Sequence, residues 1–313
     1  MNFCRSLLFL SASMWGSVFA AGDDPIEAMM KLWQYDDPKT SALVFSSLIY
    51  SAMSSEDKDY LPAVLSQIAR SYAIRGDFNA AHKQLDEVKS LIEAQKSRAN
   101  VFYLLERGRT FNSEGNKKRA RLAFDEAFTI AQEIGDDYLA IDAAHMMGIV
   151  ESLGGQQRWH DVALKIAEQS NSAFARNWLG TLYNNMGWTQ FDQGKFSRAL
   201  ELFTKNAEFR REKEQHRREQ IARWAIGRTL RALDRLPEAL PIQEKLMDER
   251  TSAGYLTDGR VLEEIGEIYR LMGRTEAHVY FSRAYHLLAA DPYIVRDEPD
   301  RLARLKELSA IQD

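Results

Sequence analysis

Six turn-forming residues recur along the chain at an almost constant interval: Gly76, Gly115, Gly155, Gly194, Asp234 and Gly273 are separated by 39, 40, 39, 40 and 39 residues. A fixed period of this size marks a repeat architecture, in which each unit is too small to bury its own apolar face and stacks on its neighbours instead. After each turn, small and large apolar residues follow in a set order. Gly115, Ala120, Phe124 and Ala127 are echoed by Gly76, Ala81, Leu85 and Val88. The pattern returns in Gly194, Phe196, Ala199 and Phe203, and in Gly273, Ala277, Phe281 and Ala284 with one residue deleted. Two copies are weaker. One has Gly155, Leu164 and Ala167, with His160 in the alanine slot; the other has Asp234, Leu236 and Ala239.

A second signature precedes each turn. Leu104, Gly108 and Phe111 match Leu262, Gly266 and Tyr269, and also Leu65, Ala69 and Tyr72. Tyr183, Gly187 and Phe191 follow with the aromatic displaced by one, and Gly227 with Leu230. Apolar residues three and four apart form one face of a helix, and a small residue on that face lets a neighbouring helix approach closely. Each unit is therefore a helix A, a tight turn and a helix B. In the third unit Glu151 stands where an aromatic belongs, which leaves its register open.

Over residues 58–290 this order resembles the tetratricopeptide repeat. The period exceeds the family's usual 34, so the chain is similar to the long-repeat variety found in kinesin light chains, spindle-orientation scaffolds and bacterial sensory proteins. The resemblance implies an all-α, right-handed superhelical solenoid of antiparallel helix pairs with six repeats. Its ends look like caps. Asp24-Pro25 and Asp37-Pro38 each place an N-cap before a proline at the first helical position, predicting a capping helix pair in residues 21–57. Pro292 and Pro299 precede an amphipathic run of Leu302, Leu305 and Leu308, predicting a C-terminal capping helix in residues 291–313.

The first 20 residues read as a secretory signal: Arg5 precedes an apolar stretch from Leu7 to Phe19, and Val18 and Ala20 supply small residues at the −3 and −1 positions of a cleavage point. That stretch is shorter than the roughly 20 residues a membrane helix needs. Cleavage removes Cys4, the only cysteine. A secreted chain without thiols fits the bacterial periplasm, and no membrane span is expected to remain.

Chemistry is hard to find. The net charge of −4 gives no basic footprint for nucleic acid. Gly194-Lys195 looks like part of a phosphate loop, but Phe196 occupies the hydroxyl position. His278 and His286 lie eight apart, about 12 Å along a helix at its rise per residue, too far to share a metal. Glu263 and Glu267, beside Arg260 and Arg270, read as ion pairs rather than an acid–base couple. Neither enzymatic activity nor a cofactor or metal is expected. The mixed-sign run Glu208–Arg223 reads as an exposed connection between the fourth and fifth units.

The family's peptide groove is lined by the second, fifth, ninth and twelfth positions of helix A. Carried onto this sequence, those slots hold Arg70, Arg109, Asn112, Asn184, Trp188, Trp224, Arg228, Arg231, Glu263, Glu267 and Arg270. Arginines that can grip carboxylates, amides that can serve an extended backbone and two tryptophan anchors suit a protein or peptide segment, with an acidic one favoured. The family's carboxylate clamp of Lys and Asn is not reproduced. The competing reading of the same arginines is that they pair with glutamates on neighbouring helices, such as Glu106. The expected role is a periplasmic interaction scaffold, and the alternative is a ligand- or peptide-responsive accessory protein of the cell envelope. The sequence leaves the oligomeric state open.

Overall fold

Positive backbone φ marks the turns that the glycines predict. Gly76, Gly115, Gly194 and Gly273 lie at φ +78°, +84°, +73° and +69°. Left-handed residues of this kind end a helix by turning its last carbonyls onto following N–H groups. Asn116 N–H reaches back to Phe111 O at 2.8 Å, and Arg274 N–H to Tyr269 O at 2.9 Å. Asp234 takes the same conformation at φ +59° without being glycine, and so does Glu214 at +54°.

The computed structural model describes residues 24–93, 95–252 and 258–310. The expected signal at 1–20 lies outside the described residues, as do the last three positions of the expected C-terminal cap. Every regular element among the described residues is an α-helix, and none of them is long and apolar enough to cross a membrane. The chain divides into two compact units, Met1–Trp178 and Leu179–Asp313.

Unit 1 contains α1 (Pro25–Met30), α2 (Pro38–Met53), α3 (Tyr60–Ile74), α4 (Phe78–Leu91), α5 (Arg98–Ser113), α6 (Lys117–Glu133), α7 (Asp137–Val150), α8 (Leu153–Gln169) and α9 (Ala173–Arg176). The A helices are α3, α5 and α7, with partners α4, α6 and α8. Each pair is locked by the periodic residues. Ala120, Phe124 and Ala127 of α6 are fully buried, and a Cβ on Gly108 of α5 would sit 2.4 Å from the Phe124 ring. The glycine is thus the socket for the phenylalanine. As the sequence predicts, Asp24 and Asp37 cap α1 and α2, accepting from Ile26 N–H at 2.8 Å and Thr40 N–H at 3.1 Å. Helix α2 packs on α3, whereas α1 also meets α3 but on its A-helix side.

The third pair explains the weak sequence copy. Gly155 is not its turn; it lies inside α8, and α7 ends at Val150. His160 takes the phenylalanine slot, not the alanine slot: its ring would meet a Cβ on Gly148 of α7 at 2.8 Å. With that register, Ala163 and Ala167 become the fully buried small residues. From socket to knob the third hairpin spans 12 residues, where Gly108 to Phe124 spans 16. One helical turn has been lost from the hairpin. The connection after α8, which includes α9, restores the count, so the 40-residue step to Gly155 is a coincidence of a deletion and an insertion.

Unit 2 contains α10 (Trp178–Asp192, entering at the boundary), α11 (Phe196–Glu212), α12 (His216–Ala232), α13 (Leu236–Ser252), α14 (Gly259–Leu271), α15 (Ala277–Leu288), α16 (Pro292–Asp297) and α17 (Pro299–Leu308). Gly187 receives Phe203 and Gly266 receives Phe281 by the same socket rule. Leu305 of α17 is fully buried, and Leu302 and Leu308 join the same apolar cluster. The charged run Glu208–Arg223 is broken by the turn at Glu214. Its Arg210 is buried against Gly180, held by Asn206 at 3.3 Å and Gln215 at 2.5 Å. Burial, with Arg218 adding repulsion, lowers the guanidinium pKa to about 10.

Candidate functional site

The A-helix faces carry charge where the B-helix faces carry apolar knobs. In unit 1 the face of α3, α5 and α7 is organised around Arg109. Its guanidinium meets Glu106 at 2.6 Å and Asp142 of α7, and Arg70 of α3 approaches the same Glu106 at 3.7 Å. Glu106 and Asp142 are buried. Burial opposes charge on Arg109, yet Asp142 and then Glu106 hold it ionised above the usual arginine range. Burial also raises Tyr138 well above the usual phenol range, with the Asp142 carboxylate adding to the shift.

Gln67, Glu106 and His145 occupy one slot of successive A helices, 39 residues apart. Gln67 bridges Trp33 Nε1–H, at 2.9 Å, to Glu106, at 3.3 Å. His145 stacks near His160 and tilts over Trp178, at ring separations of 6.2 and 5.5 Å. Burial pushes its pKa down to about 4, against the pull of Asp142.

This face is not open. The segment from Asp24 to Tyr35 lies on it. Asp24 accepts from Arg98 at the start of α5 at 2.6 Å, and Arg98 also meets Asp136 at 3.0 Å. The Lys31 ammonium sits 5.9 Å from the Phe174 ring, and the Arg70 guanidinium lies 5.2 and 5.3 Å from the Trp33 and Tyr35 rings. Ile26 and Met29 are fully buried, and Met30 and Trp33 nearly so.

Unit 2 reverses the arrangement. Three buried glutamates of α14 form its centre: Glu263, Glu264 and Glu267. Arg228 and Arg231 of α12 both bind Glu264, at 3.1 and 2.7 Å. Glu267 is held by Arg270 at 3.0 Å and by Arg304 of α17, while Glu263 is held by Arg301 of α17 at 2.9 Å. Burial works to raise the Glu267 pKa, but the hydrogen bonds from Arg304 and Arg270 win and lower it. Beside this cluster, Trp188 of α10 and Trp224 of α12 lie 5.7 Å apart, and Arg228 covers Trp224 at 5.5 Å. Asn184, one turn before Trp188, donates to Asn185 at 3.2 Å.

The structure therefore gathers Arg70 and Arg109 on one acid in unit 1, with half-buried Asn112 a turn beyond. In unit 2 it gathers Asn184, Trp188, Trp224, Arg228 and Arg231 on neighbouring A helices, with Glu263, Glu267 and Arg270 on the third. Each arginine of the set has a carboxylate of its own chain. Arg70, Arg228 and Arg231 meet a glutamate of a neighbouring helix, which is the competing reading of the sequence. Arg270 instead meets Glu267 of its own helix, and Arg109 meets Glu106 of its own helix and Asp142 of α7. Sequence reasoning missed Glu264, Asp142, Gln67 and the arginines of α17. The 39-residue spacing of Gln67, Glu106 and His145 was a readable signal for part of that row; Arg301 and Arg304 lie outside the repeat and had none. Among the described residues no three His, Cys, Asp or Glu side chains cluster as a metal site.

No family model matches the sequence, and no curated protein matches it. Solved structures do resemble the fold. RapI in its apo form superposes with a TM-score of 0.70 at 14% identity, over 91% of this chain and 79% of its own. A signal-transduction ATPase with numerous domains and a tetratricopeptide repeat sensor, from Pyrococcus horikoshii, gives 0.66 at 17% identity over 91% of this chain. This chain spans 46% of that protein's length. The C-terminal part of a tetratricopeptide repeat protein from Cytophaga hutchinsonii gives 0.52 at 15% identity, over 86% of this chain and 98% of its own. The fold is that of tetratricopeptide-repeat proteins: all-α, built of antiparallel helix pairs.

Proposed function

We propose that this chain is a non-catalytic interaction scaffold of the bacterial periplasm whose A-helix faces hold a segment of another protein. The periplasmic assignment rests on the leader-like first 20 residues and the thiol-free remainder. The observation that carries the binding role is the cluster of Trp188, Trp224 and Arg228. All three are partly exposed, the rings are in contact, and the guanidinium Nε of Arg228 is buried without a hydrogen-bond partner. A buried donor left unpaired is costly, and an acceptor on a bound segment relieves it. Tryptophan and arginine are also the residues that concentrate binding energy at interfaces. An acidic or carbonyl-presenting segment fits best.

A photo-reactive residue in place of Trp188, used in intact cells, tests this. A defined crosslinked partner that disappears in Arg228→Glu supports the reading. Crosslinks unchanged by Arg228→Glu, or no more frequent than from the exposed B-helix position Arg198, refute it. A cleft of about 210 Å³ beside Trp224, lined by Arg217, Ile221, Leu246 and Val261, favours the second reading, a ligand-responsive accessory protein. Stabilisation of the purified chain by a small molecule alone would select it.

A further inference from the structure

The segment on the unit 1 face is an unusual way to fill a groove. Helix α1 has six residues, far below the length at which a helix is stable alone. It does not extend the helix pairs; instead it lays one apolar edge on the A helices. Ile26, Met29 and Met30 enter at one end and Trp33 at the other, while Lys31, Gln34, Tyr35, Asp36 and Asp37 remain exposed. Its polar contacts are those of a bound peptide. The N-cap carboxylate of Asp24 is gripped by Arg98, and the indole N–H of Trp33 is read by Gln67. The Trp33 and Tyr35 rings, stacked at 5.1 Å, lie beneath the Arg70 guanidinium.

The fit is incomplete. An open, mostly polar cleft of about 450 Å³ borders the segment, lined by Asp24, Glu27, Arg98, Tyr138 and Phe174. With the segment seated, Glu106 Oε2, His145 Nδ1 and Trp178 Nε1–H are among the buried polar atoms of unit 1 without a hydrogen-bond partner. Room beside the segment, and the unmet oxygen of Glu106, whose other oxygen Gln67 links to Trp33, leave contacts for a differently shaped segment on the same face.

We propose that Asp24–Tyr35 is a displaceable intramolecular occupant of unit 1. The partner of this face is then a short amphipathic helical segment of the same design: an acid at its N-cap for Arg98, apolar residues two, five and six positions later, and an aromatic nine positions later for Gln67 and Arg70. This rests on the scaffold reading above and specifies the partner segment that one of its two faces takes. Four buried apolar side chains set against the ordering of twelve residues leave a narrow margin for the closed form, which is what a displaceable plug requires.

The test uses the full chain and a fluorescein-labelled peptide of sequence DPIEAMMKLWQYD, the chain's own residues 24–36. In an opened variant carrying Ile26→Asp and Met29→Asp, fluorescence anisotropy should show saturable binding at least tenfold tighter than to the unmodified chain. A peptide with alanine at the tryptophan position should lose at least tenfold. Equal binding to both proteins, or none to an opened variant that keeps its helical circular dichroism, overturns the proposal. Hydrogen exchange on the unmodified chain decides the matter if the opened variant does not fold. Amides of Met29 and Met30 should exchange at least tenfold faster than those of Ile68 and Ala69 in α3, and equal protection overturns the proposal. Crosslinking at Trp188 reports on unit 2, so the scaffold reading and this inference can fail separately.

Discussion

The two units solve one problem with opposite charges. In unit 1 a single arginine is the buried centre and acids surround it: Arg109, 12% exposed, sits between Glu106 and Asp142, which are 1% and 5% exposed. In unit 2 the glutamates are the buried centre, and the arginines around them reach water; Glu264 is 1% exposed while Arg228 is 32%. Arginine carries its charge on a long stem that can turn outward, and a buried carboxylate on a short one cannot. Unit 1 thus rests mainly on one cation, with Arg70 adding a longer contact of 3.7 Å to Glu106, whereas unit 2 distributes the task over five. The largest test of this difference is Arg109→Met. It takes the guanidinium from Asp142 and leaves Glu106 to Gln67 and the 3.7 Å approach of Arg70, and should cost unit 1 about 3–5 kcal/mol, read by chemical denaturation. Arg231→Met leaves Arg228 on Glu264 and should cost less than half as much. Equal losses would show that distribution of charge is irrelevant.

The socket-and-knob pairs sharpen the same comparison through packing. A Cβ on Gly108 would lie 2.4 Å from Phe124, while one on Gly266 would lie 2.9 Å from Phe281. The α14–α15 hairpin is one residue shorter between socket and knob, which places its ring differently, whereas Gly187 and Phe203 of the same unit keep the longer spacing and a distance of 2.5 Å. Gly108→Ala should therefore cost up to about 3 kcal/mol by overpacking, and Gly266→Ala roughly half of that. Adding Phe124→Leu to Gly108→Ala should recover part of the loss. Full additivity of the two changes would argue that they do not touch.

Much of this was legible because packing of helix A on helix B is written in small and large residues at fixed spacing. The turns at Gly76, Gly115, Gly194 and Gly273 could be read directly, and so could the capped starts at Asp24 and Asp37; Gly108, Phe124, Gly187 and Phe203 were readable as packing positions, but not which ring fills which socket. The third unit misled because its spacing is preserved by accident. A lost helical turn and the extra α9 cancel, and only the small residue Gly148 opposite His160 betrays the true register. The groove residues were readable as positions but not as states. Nothing in the spacing of Arg109 says that Asp142 lies opposite it, because that contact joins different units of the repeat. Nor does the sequence of residues 24–35 say that it folds back onto α3, α5 and α9, since six helical residues have no preference of their own strong enough to direct it.

Acid should separate the units. His145 and His160 are buried, and burial lowers both pKa values, His145 to about 4. The unfolded chain binds a proton at each histidine near pH 6.5, and the folded chain resists, so stability falls as pH drops through that window. Unit 1 should lose about 2 kcal/mol between pH 6.5 and 5 from His145 alone. Of the three histidines of unit 2, His216 and His286 are exposed and His278 is half-buried. Its acid-sensitive group is Glu267, whose lowered pKa gives stability above the ordinary carboxylate range that is lost only as pH falls below it. At pH 5, limited proteolysis should cut unit 1 first, and His145→Phe should abolish the difference from pH 7. Cleavage that begins in unit 2 would reverse the assignment.

The smallest effect concerns α17. Arg301 is 19% exposed and bridges Glu263 and Glu298, whereas Arg304 is 48% exposed and meets only Glu267, which Arg270 also holds. A half-exposed guanidinium is screened by water and salt, and its loss leaves Glu267 with a partner. Arg304→Ala should therefore shift stability by no more than about 0.5 kcal/mol, with Arg301→Ala costing more because Arg301 is mostly buried and holds both Glu263 and Glu298. Thermal melts in low and high salt separate the two, since the Arg304 effect should vanish at high salt while part of the Arg301 effect remains. If Arg304→Ala instead destabilised unit 2 as much as Arg109→Met destabilises unit 1, the charge would be acting as a single buried centre in both. The contrast between one dominant cation and a shared set would then be false.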